Sequence, residues 1–375
     1  MLIYIIIVFF CWVLSQSPKL KKSPIIQSLF SIFLIIFLCF GYMTGSDWRS
    51  YEKWFEWGVV SILLGGYKEP GYHIYSMFFK FIGVSFWPYF IFTKTLLFLI
   101  IFRFVKRLYP NNIFRFWMYF LPWFGFFLFI DNPARNAIAV GIFLLSFKYL
   151  INRSLIKYLL FTLLAMSFHA SAIIMIPLYY LANKGIKTNS LIISFVFINI
   201  IFSSQEVLRT IITFFFSKLP YIDGMIIRAL ENSDTVSGTL ISFGLLLHTF
   251  LFFILLSYRN SIVNNLKFGK QIFNLAILYP FFFRMGLTMQ PLARFQLFLA
   301  VFFVIAIISI VYFLNKEYKK NYIFFLLIIS LIACKNVMSY KYVPYTNYLT
   351  YVFSNEYPPY EYRDSFNKDN TPYGQ

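Results

Sequence analysis

The chain has little charge, and least of all negative charge. Only 13% of its 375 residues are charged, and 14 of them are acidic against 33 basic. A soluble globular domain carries about 25% charged residues, so an ordinary soluble enzyme is excluded. Cysteine is scarce as well. Cys11, Cys39 and Cys334 all lie in apolar runs, with neither the spacing of a disulfide framework nor that of a zinc site. Familiar catalytic signatures are missing too. There is no Gly-rich phosphate loop, no HExxH, no GxSxG and no DxD dyad, which argues against a soluble nucleotide-sugar transferase. No internal repeat and no low-complexity linker interrupts the chain.

What is present is apolar surface. Hydrophobic residues make up 60% of the chain and aromatics 23%. Many windows of 14–20 residues carry no charge, the signature of membrane spans. The expected fold is all-α, a polytopic transmembrane helical bundle, because only helices and closed barrels satisfy the backbone in lipid. The net charge of +19 does not require nucleic acid. Much of the basic excess falls in short loops, where the positive-inside rule expects it.

Those loops predict a topology. Lys19, Lys21 and Lys22 lie inside, as do Arg103, Lys106 and Arg107, then Arg153 and Lys157, then Arg259, Lys267 and Lys270, and lastly Lys316, Lys319 and Lys320. The spans between them fall near 1–14, 25–42, 86–102, 113–130, 136–151, 158–182, 189–204, 206–219, 238–257, 271–283, 295–314 and 321–334. That makes about twelve, with both termini on the outer side. Gln205, Glu206 and Arg209 interrupt the seventh and eighth, which read equally as one broken or re-entrant pair. Residues 1–14 follow no positive charge, so they predict an uncleaved first span rather than a signal peptide. One membrane domain, 1–340, is expected, followed by a Tyr- and Pro-rich tail, 341–375, whose last ten or so residues are expected to be disordered.

With this topology the acidic segments face outward. Loop 43–85 holds Asp47, Glu52, Glu56 and Glu69, and loop 220–237 holds Asp223, Glu231 and Asp234. The connection 284–294 has Arg284 and Arg294 at its ends, a suitable diphosphate clamp because guanidinium matches phosphate oxygens in bidentate fashion. Both could equally be interfacial anchors. In the first loop Tyr51, Trp54 and Phe55 recur at helical spacing, predicting an amphipathic interfacial helix. Its tryptophans suit an aromatic belt or a platform for sugar rings. Asp47 suits an N-cap of that helix. Glu69-Pro70-Gly71 has the chemistry of a turn, which accounts for Pro70 and Gly71 but not for a carboxylate at the bilayer edge.

The stretch Asp131–Pro177 reads as two apolar helices joined by a basic turn, with Arg135 opening the first and His169 and Ser171 inside the second. A charge at a membrane helix centre costs ~2.5–3.5 kcal/mol on insertion scales. Arg135 to Ile151 descends ~24 Å, and Lys157 to His169 returns ~18 Å. An antiparallel pair would therefore bring His169 within roughly 6 Å of the depth of Arg135. Snorkelling is the plain account of Arg135, and a hydrogen-bonded core ring that of His169, as it is of His73 and His248. The sharper account makes Arg135 an anion-binding group and His169, Asp47 or Glu69 a general base. Arg49, Tyr51, Trp54, Tyr72, Asn136 and Ser171 are candidate substrate contacts beside them.

At these residues the chain resembles the EpsG family of polysaccharide-biosynthesis membrane proteins, related to the Wzy-type polymerases of O-antigen and capsule assembly. The resemblance rests on Gly45-Ser46-Asp47 followed by Tyr51, on Glu69-Pro70-Gly71-Tyr72, on Arg135-Asn136-Ala137-Ile138-Ala139, and on Phe168-His169-Ala170-Ser171-Ala172. Arg294 and the stretch Lys341 to Tyr345 match more loosely. The family usually has Gln where this chain has Asn136, and often Tyr where it has Trp48. The resemblance implies a GT-C-like bundle in the bacterial inner membrane. It also implies polymerisation of undecaprenyl-diphosphate-linked oligosaccharide repeat units on the periplasmic side by a metal-independent hexosyltransferase without cofactors. A chain-length regulator protein is an implied partner, and nucleic acid is not. On that account Arg135, Arg284 and Arg294 stabilise the leaving lipid diphosphate. A flippase is the alternative from another class and should show two-fold repetition. A ligase-like enzyme or an acyltransferase of similar architecture also stays open.

Overall fold

The computed structural model describes residues 1–64, 69–110, 112–208, 210 and 242–373. The expected loop 220–237 and most of the expected span 206–219 lie outside them. The described chain is all-α apart from one two-residue ladder, in which Gly41–Tyr42 (β1) pairs antiparallel with Thr346–Asn347 (β2). It divides into two compact units, residues 1–173 with 314–375, and residues 174–313.

The first unit opens with α1 (Leu2–Gln16) and α2 (Pro24–Cys39). Ser23 caps α2, accepting from the Ile26 amide, and Pro24 stands in the first turn, where its missing N–H costs nothing. Three short helices follow: α3 (Trp48–Trp57), α4 (Val59–Leu64) and α5 (Pro70–Phe81). Gly58 ends α3 at φ +57, a conformation that favours glycine. Next come α6 (Phe86–Leu108) and α7 (Ile113–Phe120), and two π-helical turns carry the chain on from α7 to Asp131. Asn132, left-handed at φ +56, and Pro133 break that run and let α8 (Ala134–Ile151) begin. α8 packs on α9 (Leu155–Phe168) as the predicted hairpin. The helix expected over 158–182 is interrupted. His169 is extended, with φ −156 and ψ 127, and Ala170–Ile174 winds as a 3-10 turn.

In the second unit α10 (Met175–Leu181) and α11 (Thr188–Ile201) precede α12 (Phe243–Ser257) and α13 (Arg259–Asn265), which meet at a 60° bend. α14 (Gly269–Thr288) and α15 (Gln290–Ser309) then form a tight hairpin. A Cβ on Gly286 would come within 2.5 Å of the Gln296 side-chain nitrogen and 2.9 Å of the Ala293 backbone, so the two helices pack closely at this glycine. The first unit resumes with α16 (Lys316–Ala333), α17 (Tyr348–Ser354) and α18 (Tyr360–Asn370). Helix α18 corrects the expectation of a disordered end. Its Asn367 is 1% exposed and donates to the Tyr340 carbonyl at 2.9 Å.

The chain is a multi-pass membrane protein. Among the described residues four helices are long and apolar enough to cross a bilayer: 86–108, 134–151, 290–312 and 316–337. The bent pair α12–α13 would make a fifth. Other expected spans, such as α1 and α2, coincide with apolar helices of 10–17 residues. A 15-residue helix reaches only ~22 Å against a hydrocarbon core of ~30 Å.

Candidate functional site

In the first unit Glu69 stands where α5 begins. The expected turn at Glu69-Pro70-Gly71 is instead a helix start, with Glu69 at the N-cap position and Pro70 first in the helix. Pro at the second position of a turn and Pro opening a helix share one φ near −65°, which is why the sequence suited both. Gly71 is needed for close approach. A Cβ there would lie 2.3 Å from the Ser167 hydroxyl, so α5 packs backbone-close on the end of α9.

That approach delivers the Glu69 carboxylate to the α8–α9 hairpin. Its Oε2 pairs with Nη1 of Arg135. Its Oε1 accepts from the Ala170 amide at 3.1 Å and lies 3.9 Å from Nε2 of His169. One carboxylate therefore bridges the cation at the start of α8 and the imidazole at the end of α9. The interruption after Phe168 makes this possible, because it frees the Ala170 amide from any helical bond and turns it toward Glu69.

His169 is 6% exposed, and its Nδ1 accepts from the Ser171 amide at 3.1 Å. An accepting Nδ1 puts the proton of the neutral ring on Nε2, the nitrogen nearest Glu69. Of the three candidate bases, Glu69 is thus the one with carboxylate oxygen facing the cluster, and His169 is its proton-bearing neighbour. The Ser171 hydroxyl is buried with no hydrogen-bond partner.

Arg135 lies over aromatic faces, its guanidinium carbon 4.8 Å from the Trp54 ring centre and 6.0 Å from that of Tyr51. Its Nε is buried with no partner, so the guanidinium has donors beyond those Glu69 occupies. Tyr51 and Tyr72 pack together at 5.1 Å between centroids. Burial and the Asp47 charge push the Tyr51 hydroxyl up to about 12, although Arg135 opposes them; burial likewise raises Tyr72 well above the usual tyrosine range. Near neutral pH both hydroxyls keep their protons and can donate. Asn136, 1% exposed, follows Arg135 into the core.

The Gly45-Ser46-Asp47 motif is held by a carboxylate the sequence reading passed over. Asp131 Oδ1 accepts from the Ser46 amide at 2.9 Å and its hydroxyl at 2.7 Å, while Oδ2 pairs with Lys341 at 3.1 Å. A Cβ on Gly45 would come within 2.2 Å of the Ile130 carbonyl. Asp47 occupies the N-cap position of α3 but caps no amide there. Its Oδ1 lies 3.3 Å from the Ser46 hydroxyl, whose one proton has its shorter contact with Asp131. Arg49, expected near substrate, binds the tail: Nε meets Asp364 Oδ1 at 2.5 Å and Nη2 meets the Asp364 carbonyl at 2.6 Å. Glu52 is 9% exposed and pairs with Arg363 at 2.7 Å. These partners lie 311 and 315 residues away, beyond any local pattern.

Arg284 and Arg294 belong to the second unit. The expected connection 284–294 shrinks to Met289, since α14 runs through Thr288 and α15 starts at Gln290. Arg284 therefore lies a turn inside α14 and is 3% exposed, with a buried Nε that has no partner. Arg294 is exposed on α15. Among the described residues no group of three or more His, Cys, Asp or Glu side chains could hold a metal ion.

Comparison with known proteins gives one positive finding. The model of the EpsG family matches residues 25–353, a range that contains the whole Glu69, Arg135 and His169 cluster. No curated protein and no solved structure matches.

Proposed function

The chain belongs to the EpsG family, a family associated with exopolysaccharide biosynthesis, and on that premise we propose that it polymerises lipid-linked glycans. The substrates are undecaprenyl-diphosphate-linked oligosaccharide repeat units, joined into O-antigen or capsule on the periplasmic side of the bacterial inner membrane. The observation that carries this reading is the Glu69 bridge between Arg135 and His169, with Trp54 and Tyr51 forming an aromatic wall beside it.

The chemistry follows from the groups present. An acceptor hydroxyl oxygen attacks the anomeric carbon of the growing chain. The bond from that carbon to the lipid diphosphate breaks, and its electron pair leaves with the diphosphate. Arg135, through donors that Glu69 does not occupy, stabilises the charge that develops there. The proton of the acceptor hydroxyl passes to the Glu69–His169 pair, whose shared position spares either group from holding it alone. Trp54, Tyr51 and Tyr72 offer ring faces and hydroxyl donors to the sugars. Arg284 and Arg294 are the alternative diphosphate clamp.

The test compares Arg135→Lys with Arg135→Ala. Lysine keeps the charge but lacks the planar fork that can hold Glu69 and a phosphate oxygen together. Both variants, at matched membrane levels, are expected to collapse the glycan ladder toward single repeat units. A transition-state contact of this kind is worth ~2.7–4 kcal/mol, about 100- to 1000-fold in rate. A normal ladder for Arg135→Lys with a shortened one for Arg284→Lys or Arg294→Lys would move the clamp to the second unit. Normal ladders for all three would remove the electrostatic mechanism. Unpolymerised units stranded on the cytoplasmic side would identify a flippase instead.

A further inference from the structure

The second unit contains a cavity of 250 Å³ lined by Lys184, Thr188, Arg259, Asn260, Lys270 and Asn274 among others. Three of these are cations, and among the described residues no carboxylate lines the space. Converging like charges repel, and no carboxylate among those lining residues offsets the repulsion. The structure nonetheless holds the three groups around one opening. Arg259 is fixed by two bonds, Nη1 to the Thr188 hydroxyl at 2.9 Å and Nη2 to the Ile186 carbonyl at 2.5 Å. Asn274 is 2% exposed, and its amide nitrogen lies 2.8–3.0 Å from the carbonyl oxygens of Leu181, Ala182 and Lys184, which share its two N–H protons. It thereby fixes the turn that carries Lys184 and draws three carbonyl oxygens to itself. Lys270 is placed by the corner between α13 and α14. A Cβ on Gly269 would come within 2.2 Å of the Ile262 carbonyl and 2.6 Å of that of Val263, so the corner closes backbone on backbone. Helix α11 opens at Thr188 with no side-chain cap, and its first-turn amides add positive potential at the rim.

We propose that this cavity binds a phosphoryl group. Two lysines, a fixed arginine, a hydroxyl and an uncapped helix start are the donors that a tetrahedral anion recruits. The space is larger than a bare phosphate needs, which suits a phosphate that carries a substituent or a second phosphate. The cavity lies among basic residues that the positive-inside rule assigns to the cytoplasmic side. Either an anionic lipid headgroup or a soluble diphosphate could present the group there.

The experiment uses the full chain, purified in detergent, with two probes. Radiolabelled pyrophosphate is titrated, and phosphatidylglycerol retained after transfer from mixed micelles is counted by native mass spectrometry. The test variant is Lys184→Gln with Lys270→Gln, both exposed lysines; the control is Lys316→Gln with Lys320→Gln, which removes equal charge from α16. The cavity variant is expected to bind at least one probe about tenfold or more weakly, with the control unchanged. Loss confined to pyrophosphate identifies a soluble ligand, and loss confined to phosphatidylglycerol a lipid. Binding of neither probe by the parent protein, or equal loss in the control, overturns the proposal. The readout involves no glycan transfer, so it stands or falls apart from the reading of the Glu69 cluster.

Discussion

His73 shows what the Glu69 cluster demands of its neighbours. Its Nδ1 lies 2.9 Å from the Ser61 hydroxyl, and burial, then the Arg135 charge, lower its pKa, with Glu69 opposing. The folded protein thus takes up this proton less readily than the unfolded chain does. As pH falls through the unfolded value of ~6.5, the unfolded chain gains a proton that the folded one refuses, so stability falls. His73→Gln keeps a polar partner for Ser61 but cannot titrate. The melting midpoint of the wild type, relative to that of the variant, should therefore drop between about pH 7.5 and about pH 5.5. A difference that stays constant across that range would disprove the account. The same cluster also shows what could be read from residues alone. The convergence of Arg135 and His169 on one end of the hairpin was legible because helical rise is constant. The break at His169 was not, since Phe168-His169-Ala170-Ser171 contains no proline or glycine to announce it. Glu69 drew attention as a carboxylate at the bilayer edge, but its bond to the Ala170 amide depends on that unannounced break.

At the scale of elements, α3 carries Tyr51 and Trp54 to the cluster and is braced from behind by α18. Glu52 and Arg363 form a pair with side chains 12% and 11% exposed. Arg363 also lies over the rings of Trp48 and Tyr360, and Arg49 and Asp364 make a second pair. Burial raises the Glu52 carboxyl above its ordinary range even though Arg363 opposes the shift. A lone charge is therefore costly here. Arg363→Ala leaves Glu52 buried without its partner, a loss of roughly 3–5 kcal/mol. The expected result is release of α18, seen as new protease cleavage within 360–370 and faster amide exchange in α3, whereas protection equal to the wild type would show that the pair holds nothing. The period of α3 was legible in part: of the expected Tyr51, Trp54 and Phe55, Tyr51 and Phe55 are buried with Trp48, and Trp54 is only partly so. The burial of Glu52 was not legible, since its partner Arg363 lies 311 residues away, too distant for any local pattern to reveal.

At the scale of the whole chain, β1 and β2 tie the segment ahead of α3 to the tail, with the Tyr42 carbonyl also accepting from the Thr346 hydroxyl. The segments holding Ser50 and Ser354 must then share one side of the membrane, and basic-loop asymmetry predicts the outer one. Cysteines placed at these two exposed serines should both react with an impermeant thiol reagent in cells whose outer membrane is leaky. The native Cys11, Cys39 and Cys334 are buried and give little background. Labelling of one site alone would contradict the ladder, and labelling of neither before lysis would contradict the orientation. The membrane character of the chain was plain from composition, because apolar content survives any rearrangement of helices. Helix lengths were less plain, since a helix can stop inside an apolar run wherever tertiary contacts replace its hydrogen bonds, as α9 does. The brace on α3 also has a temporal side. Glu52 and Arg363 are separated by 311 residues, which a ribosome adding ~5–20 residues per second takes roughly 15–60 s to traverse. Throughout that interval the helix bearing Tyr51 and Trp54 lacks its support. A chain still being translated therefore has α3 and its aromatic residues without the clamp that steadies them until residues 360–370 have emerged and folded back.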